Sequence, residues 1–269
     1  MEKIKIYSII HKFINDMEYL KNDHVLGIYF YGSYQIGCAN ANSDIDLHVV
    51  FDDSKPDNLV RGTHFIDGFK IEYFEKPISD LKLTIDNDYI NQNNAMLSIV
   101  GTSEIIFDRT GSLKDLQMYA LDVYSKPLPP LSENEAKEYV SIINNRMEKL
   151  QLLAYNCDAE FYHLYHLTIE KIRKFYHRLI GSSKISTSKV YRVYTDKKYR
   201  KLTNKGIMPE EEFRNMYMDA ILDSSTDMYI KFKKVQELFN YAARNVDLNI
   251  SENYRIPIRS RNNPDFRRY

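Results

Sequence analysis

The sequence predicts an α+β protein in which a sheet with helices is followed by a bundle of helices. Three observations indicate this organisation. Strand patterns are confined to residues 25–108, helical spacing of apolar residues dominates from residue 133 onward, and a proline-rich stretch at 126–132 separates the two parts. Because prolines fix the backbone φ angle and interrupt both helices and strand ladders, the domain boundary is expected in that stretch.

The first part is expected to begin with a helix and to alternate strands with further helices. Apolar residues recur at three- and four-residue steps in the helices, whereas β-branched and aromatic residues cluster in the strands. The pair Asp67-Gly68 between two apolar runs predicts a hairpin. The predicted elements are a helix over 4–20, strands over 25–31, 44–51, 63–66, 69–75 and 104–108, and helices over 77–100 and 113–123.

The second part is expected to be helical almost throughout. Ser132 and Glu135 have the spacing of a capping box, which predicts a helix start at this point. The predicted helices cover 133–156, 159–180, 209–222 and 226–246. The predicted domains are a catalytic domain over 1–125, a substrate-binding helical bundle over 133–250 and a basic tail over 251–269.

Composition excludes several classes of protein. The 37 Lys+Arg balance the 37 Asp+Glu, so no global field attracts nucleic acid or an anionic membrane. No apolar run approaches the roughly 18 residues that a membrane span needs. The chain has two cysteines, Cys38 and Cys157, and no apolar signal core follows Met1, so a cytoplasmic protein without a membrane partner is expected.

A constellation of acids in the first part carries the expected chemistry. Asp44 and Asp46 lie on the second predicted strand, where side-chain alternation places both on one face. Glu72 lies on the predicted hairpin, from which it can reach the same face. Three clustered carboxylates repel one another unless a cation neutralises them, and hard oxygen ligands suit Mg²⁺. Because Mg²⁺ leaves coordination positions for phosphate oxygens, a nucleoside triphosphate site is expected.

The turn after the first strand is expected to bind phosphate. Gly32 would let backbone N–H groups approach a phosphate closely, and the hydroxyl of Ser33 with a following helix N-terminus would hold it. Ser43, directly before the first acid, is counted with them as a nucleotide-binding residue.

Four short motifs carry a resemblance to a known superfamily. They are Tyr31-Gly32-Ser33, Gly37, Ser43-Asp44-Ile45-Asp46-Leu47 and Phe69-Lys70-Ile71-Glu72. Together they resemble the nucleotidyltransferases typified by DNA polymerase beta, and within them the small-molecule branch that includes the kanamycin and lincosamide nucleotidyltransferases. The resemblance implies a mixed sheet with helices on one side. It also implies that Asp44 and Asp46 hold two Mg²⁺ ions, that Glu72 completes the ion activating the acceptor, and that Ser33 grips the triphosphate.

The expected activity is transfer of a nucleoside monophosphate, with ATP as donor, to a hydroxyl of a small molecule, and release of pyrophosphate. An aminoglycoside-like antibiotic is one acceptor of this kind, bound between the two domains. Two alternatives stay open: nucleotidylation of a protein or RNA, as in toxin–antitoxin systems, and a non-catalytic nucleotide-binding module. Nucleic acid is not the expected partner, and both a monomer and a homodimer are compatible with the sequence.

Several residues of the second part have open roles. The resemblance implies a further role, because relatives that modify aminoglycosides often place an extra carboxylate in the helical domain as a general base. Glu135, Glu138 and Glu148 are candidates that the sequence does not rank. The basic segment 184–205 either reaches the triphosphate or an anionic acceptor, or is a solvated loop.

Two histidines receive structural interpretations. His48 shares the acidic face of its strand, and we expect it to be hydrogen-bonded within the fold rather than to touch substrate. Arg173 and His177 have a spacing close to that of ribonuclease domains that accompany minimal nucleotidyltransferases. Since the spacing is shorter than usual and the position is within the bundle, a structural role is expected for this pair.

Overall fold

A computed structural model of the protein describes residues 2–54, 60–91, 93, 95–126, 128–129, 131–203 and 207–246. The chain divides into two compact units. The first unit takes in the segments 1–129 and 183–206, and the second takes in 130–182 and 207–269. The segment 183–203 therefore belongs to the first unit, whereas the sequence predicts it within the helical bundle. The predicted basic tail over 251–269 lies outside the described residues.

The helices and strands are numbered in chain order. The strands are β1 (Val25–Tyr31), β2 (Ile45–Phe51), β3 (Val60–Ile66), β4 (Phe69–Pro77) and β5 (Glu104–Asp108). The helices of the first unit are α1 (Glu2–Asp16), α2 (Gly32–Gln35), α3 (Ile78–Ile90), α4 (Ala95–Thr102), α5 (Ser112–Ser125), α8 (Thr187–Thr195) and α9 (Lys197–Thr203). Those of the second unit are α6 (Glu133–Tyr155), α7 (Glu160–Leu179), α10 (Glu211–Ile221) and α11 (Met228–Ala243).

The five strands form one mixed sheet in the order β3-β4-β2-β1-β5. Strand β2 pairs in parallel with β4, while the other three pairings are antiparallel. The hairpin between β3 and β4 turns at Asp67-Gly68, where both residues have positive φ, at 49° and 81°. This turn is the one that the Asp-Gly pair predicts, since both residue types tolerate the left-handed region. The α+β class and the mixed sheet are confirmed.

Both faces of the sheet are covered by helices. Ile9, Ile10 and Phe13 of α1 pack with Leu47 and Val49 in one core cluster. A second cluster contains Tyr29 and Val50 from the opposite face together with buried residues of α3, α4 and α5, namely Leu81, Ile85, Leu97, Val100, Leu113 and Leu116. The resemblance implied helices on one side, but the end of β2 is apolar on both faces, so both need a cover.

The boundaries of several predicted elements change in the structure. The predicted helix over 4–20 is α1 followed by a short 3-10 turn, Glu18–Lys21. The predicted helical stretch over 77–100 is two helices, α3 and α4. The basic segment, for which a solvated loop is one of the two expectations, contains α8 and α9. Val190, Val193 and Tyr194 provide the buried face of α8.

The second unit is a bundle built around α7, which contacts α6, α10 and α11. Its helix α6 begins with the predicted capping box, in which the side chain of Ser132 accepts from the backbone N–H of Glu135 and Glu135 reaches back to Ser132. Large apolar side chains such as Phe161, Phe175 and Phe213 are fully buried in the helices of this unit. No helix in the described part of the chain is long and apolar enough to span a membrane.

Candidate metal and nucleotide site

Strand pairing brings the three predicted acids together. In the parallel ladder between β2 and β4, Asp46 lies opposite Glu72. Asp44 precedes Asp46 by two residues, so its side chain leaves on the same face. Each acid offers a carboxylate oxygen, and these oxygens lie within 4.8 Å of one another. Within the described ranges, this is the one group of three or more acidic, histidine or cysteine side chains arranged to hold a metal ion.

Gly32 provides the space that Asp46 occupies. Strand β1 ends at Tyr31, which pairs with Asp46, and the chain then turns at Gly32 with φ of 83°. A side-chain carbon at position 32 would lie 1.9 Å from Oδ2 of Asp46, far inside van der Waals contact. Glycine is therefore required here both by the left-handed backbone and by the close approach of the carboxylate.

The two serines of the predicted nucleotide site have different surroundings. Ser33 lies in the single-turn helix α2, and it lines a cavity together with Gly32 and the three acids. Ser43 is not among the described residues that line this cavity. Its hydroxyl instead accepts from the backbone N–H of Asn40 at 2.9 Å, and its own N–H donates to the carbonyl of Asn40 at 3.0 Å. In this structure Ser43 holds the loop that leads into β2, because its hydroxyl is engaged there.

The electrostatic environment differs between the acids. Burial, followed by the charge of Asp44, raises the pKa of Asp46 from its ordinary value to about 7. A hydrogen bond from Lys70 and a further one from Arg61 hold the pKa of Glu72 below its ordinary value, against the opposing effect of burial. Burial and the charge of Asp44 therefore favour the protonated form of Asp46, and a bound divalent cation would favour the ionised form of this carboxylate.

Two basic side chains that sequence reasoning missed flank the acids. The ammonium of Lys70 contacts a carboxylate oxygen of Glu72 and lies 3.4 Å from Oδ2 of Asp44. The guanidinium of Arg61, on β3, lies 3.1 Å from the other oxygen of Glu72. Lys70 precedes Glu72 by two residues on β4, so strand alternation was a signal that could have placed it on the same face.

The acids open into a cavity of about 460 Å³ within the first unit. Residues of helices α8 and α9 also line this cavity, and the cationic residues among them are Lys189 and Arg192. These two residues lie three positions apart on α8, so they project on neighbouring turns. The cavity thus combines three carboxylates with two cations, which suits a ligand that carries both bound metal and excess negative charge.

Lys189 and Arg192 are held differently. The guanidinium of Arg192 lies 4.1 Å above the ring centroid of Tyr199 and 3.4 Å from the backbone carbonyl of Cys38. Its nearest acid is Asp196, at 3.9 Å. Lys189 makes no ion pair with any residue that the structure describes, although its charge acts on Asp46 and opposes the rise in the pKa of that carboxyl. Arg192 is therefore positioned by the fold, whereas the charge of Lys189 is available to a ligand.

His48 lies on the acidic face of β2 but deeper in the fold than the acids. It is 1% exposed, and neither ring nitrogen has a hydrogen-bond partner among the described residues. Burial, with a smaller contribution from Lys76, lowers the pKa of His48 to about 3, so the ring is neutral. The prediction of a hydrogen-bonded histidine is wrong, because its ring packs beside Phe74, with centroids 6.2 Å apart, on an apolar part of the sheet.

The general-base candidates of the second unit are distinguished in part. Glu135 is engaged in the capping box and in an ion pair with Arg178 at 3.1 Å, which gives it a structural role. Glu138 is exposed. Glu148 lines a separate cavity of the second unit together with Leu152, Tyr155 and Tyr229. The base therefore stays unassigned.

Arg173 and His177 are interior residues of the bundle. They are 1% and 3% exposed, respectively. Arg173 pairs with Glu170 at 2.7 Å, and Nδ1 of His177 lies 2.8 Å from the hydroxyl of Ser182. Because both side chains are buried and bonded within the unit, the expectation of a structural role agrees with the packing.

The match to a protein family supports the interpretation of the part of the first unit that it covers. Residues 17–111 match the family model described as polymerase beta, nucleotidyltransferase. Among solved structures, the chain is similar to a nucleotidyltransferase-like protein from Exiguobacterium sibiricum 255-15, with 12% identity, a TM-score of 0.47, and coverage of 88% of this chain and 75% of that one. No curated protein sequence matches the chain. The matched residues 17–111 contain Gly32, Ser33 and all three acids, so the match supports a polymerase beta-like nucleotidyltransferase domain over this part of the chain.

Proposed function

We propose that the protein transfers a nucleoside monophosphate from a nucleoside triphosphate, with ATP as donor, to a hydroxyl of a small molecule. The observation that carries this proposal is the cavity that Asp44, Asp46 and Glu72 share with Lys189 and Arg192. Its volume of about 460 Å³ is within the usual range for small-molecule sites. The resemblance of the motifs to the small-molecule branch supports a small hydroxylated acceptor, and an aminoglycoside-like compound is the first to test.

The acidic triad fits Mg²⁺. Its ligands are hard carboxylate oxygens within 4.8 Å of one another. The raised pKa of Asp46 reflects first its burial and then the charge of Asp44, and a bound cation would offset that charge. Asp44 and Asp46 would hold two ions, and Glu72 would complete one of them. When bound, these ions neutralise the phosphate oxygens and make the acceptor hydroxyl a better nucleophile.

The residues of this chain bind and orient the donor. Gly32 and Ser33 line the cavity beside the acids. The backbone N–H groups at this turn and the hydroxyl of Ser33 would donate hydrogen bonds to phosphate oxygens. Lys189 and Arg192 lie in the same cavity and would hold the remaining negative charge of the triphosphate.

The reaction is an in-line displacement at the α-phosphorus. The acceptor oxygen forms a bond to that phosphorus as the bond to the bridging oxygen of pyrophosphate breaks, and pyrophosphate leaves with the electron pair. Lys189 and Arg192 would stabilise the charge that develops on the leaving group, since both cations line the cavity that would hold the triphosphate. The proton of the acceptor goes to a base that is not assigned.

The experiment is transfer of label from α-labelled ATP, GTP, CTP or UTP, in Mg²⁺, to a panel of acceptors. The panel contains aminoglycosides, lincosamides, total cellular protein and total RNA, and pyrophosphate release is scored in parallel. Asp46→Asn removes a proposed metal ligand, and Asp67→Asn is the matched control, because Asp67 is an acid of the hairpin turn that pairs with Lys12 at 2.5 Å.

Transfer to a small molecule by the wild type and by D67N, but not by D46N, would support the proposal. If only protein or RNA becomes labelled, the proposed small-molecule acceptor is wrong and the acceptor is a macromolecule. Triphosphate binding without pyrophosphate release from any acceptor would favour a non-catalytic nucleotide-binding module.

A further inference from the structure

Lys70 lies between two of the three acids. It belongs to β4, two residues before Glu72, and its ammonium contacts Oε1 of Glu72 and lies 3.4 Å from Oδ2 of Asp44. The oxygens of the triad that would ligate an ion lie within 4.8 Å of one another. The ammonium therefore occupies the side of the triad on which Asp44 and Glu72 face each other.

We propose that Lys70 is a positioning residue that neutralises Asp44 and Glu72 in the metal-free protein and competes with the divalent cation for their oxygens. The proposal rests on the proposed metal site. It assigns to Lys70 a role in setting metal affinity, separate from the binding of nucleotide or acceptor.

The competition follows from charge and distance. Mg²⁺ binds carboxylate oxygen at about 2.1 Å, whereas an ammonium donates to it at about 2.7–2.9 Å. Both cations cannot be close to the same oxygens, because their centres would then be only a few ångströms apart and would repel each other. Binding of the metal therefore requires the ammonium to move away.

The surroundings of Lys70 allow this movement. Its side chain is 41% exposed, so the ammonium can turn into solvent without leaving a buried charge behind. Lysine is also a flexible, strongly hydrated point charge. Glu72 keeps a second partner in this event, because the guanidinium of Arg61 lies 3.1 Å from its other oxygen, Oε2. Arg61 is more exposed than Lys70, but its guanidinium also lies 5.2 Å from the ring centroid of Phe74, which holds it in place. Arg61 thus fixes the carboxylate, and Lys70 is the exchangeable partner.

The test is direct binding of Mn²⁺, as a spectroscopic substitute for Mg²⁺, measured from the electron paramagnetic resonance signal of the free ion. The full-length protein is titrated without nucleotide or acceptor. Lys70→Met removes the charge and keeps the apolar stem, while Lys70→Arg keeps the charge. Lys12→Met is the matched control, since Lys12 is a similarly exposed lysine that pairs with an acid outside the triad, Asp67.

We expect K70M to bind Mn²⁺ more tightly than the wild type, on the order of tenfold, because a competing positive charge is removed. K70R and K12M are expected to stay within about threefold of the wild type, since one keeps the local charge and the other lies elsewhere. The gain should disappear in the double variant K70M/D46N. Thermal unfolding of each variant in EDTA shows that it is folded before the titration is interpreted.

Two results would overturn the proposal. One is a K70M affinity equal to or weaker than that of the wild type while D46N still abolishes binding, which leaves the metal site intact and removes only the role of Lys70. The other is wild-type Mn²⁺ binding that D46N does not alter, which removes the metal site and with it the basis of the proposed function.

Discussion

A side-chain carbon on Gly32 would lie 1.9 Å from Oδ2 of Asp46, so the carboxylate on β2 occupies space that only a glycine after β1 leaves free. Gly32→Ala is expected to displace the carboxylate and to weaken Mn²⁺ binding, besides destabilising the fold by about 1–2 kcal/mol through its positive φ. The two effects are separated by measuring metal affinity and urea unfolding on the same variant.

Gly37→Ala is the control for this prediction. Gly37 also has positive φ, at 70°, but a side-chain carbon there would meet nothing within 4 Å. The G37A variant should lose stability because of the positive φ, but it should bind metal as the wild type does. Equal metal affinity in G32A and the wild type would mean that Asp46 does not need this space.

The raised pKa of Asp46 predicts that the metal-free protein loses stability as pH rises. The pKa is about 7 in the folded protein and 3.8 as the ordinary value, so the folded state binds the proton more tightly. Stability from this group is complete below about pH 4 and is lost as the pH rises through about 7. The loss is on the order of 1–2 kcal/mol after allowance for solvent screening.

Urea unfolding in EDTA at pH 5 and pH 8 measures how the free energy of unfolding changes with pH. Asp46→Asn should flatten it, because the amide carries no charge at either pH. Saturating Mg²⁺ should also flatten it, since the cation keeps Asp46 ionised. A wild-type slope that D46N leaves unchanged would assign the pH dependence to other groups.

Lys189 and Arg192 are expected to bind the triphosphate. Replacing either by alanine should weaken the binding of Mg²⁺–nucleoside triphosphate by about ten- to hundredfold, the effect of losing a hydrogen bond to a charged group. The effect on a nucleoside monophosphate should be smaller, because it lacks the phosphates that these cations would hold. Calorimetric titration of both nucleotides checks this difference.

Lys198→Ala provides the comparison within the same basic segment. Lys198 is exposed and is not among the described residues that line the cavity. Its removal changes the net charge as much as K189A does, and it should leave affinity nearly unchanged. A loss as large as that of K189A would indicate a diffuse charge effect instead of a specific contact.

The shared face of Asp44 and Asp46 and the hairpin that carries Glu72 could be predicted because local rules determine both, whereas the parallel pairing of β2 with β4 is long-range. Alternation along β2 places Asp44 and Asp46 on one face, and the Asp67-Gly68 turn sets the hairpin that carries Glu72. The role of each acid in catalysis stays a prediction.

The cationic parts of the site could not be predicted in the same way. Arg61 reaches Glu72 across the β3–β4 ladder, and its contact depends on a rotamer that no sequence pattern specifies. Helices α8 and α9 join the first unit although they follow two helices of the second, a long-range packing choice that helical periodicity does not encode. Lys189 and Arg192 line the cavity only because α8 packs with the first unit.

Calorimetric titration with nucleoside triphosphate, in Mg²⁺ and in EDTA, tests the central claim most directly. The wild type and the control D67N should bind in Mg²⁺ at least about tenfold more tightly than in EDTA, and D46N should lose this difference. Equal affinity in Mg²⁺ and EDTA, or an undiminished Mg²⁺ effect in D46N, would contradict a metal-dependent nucleotide site at the triad.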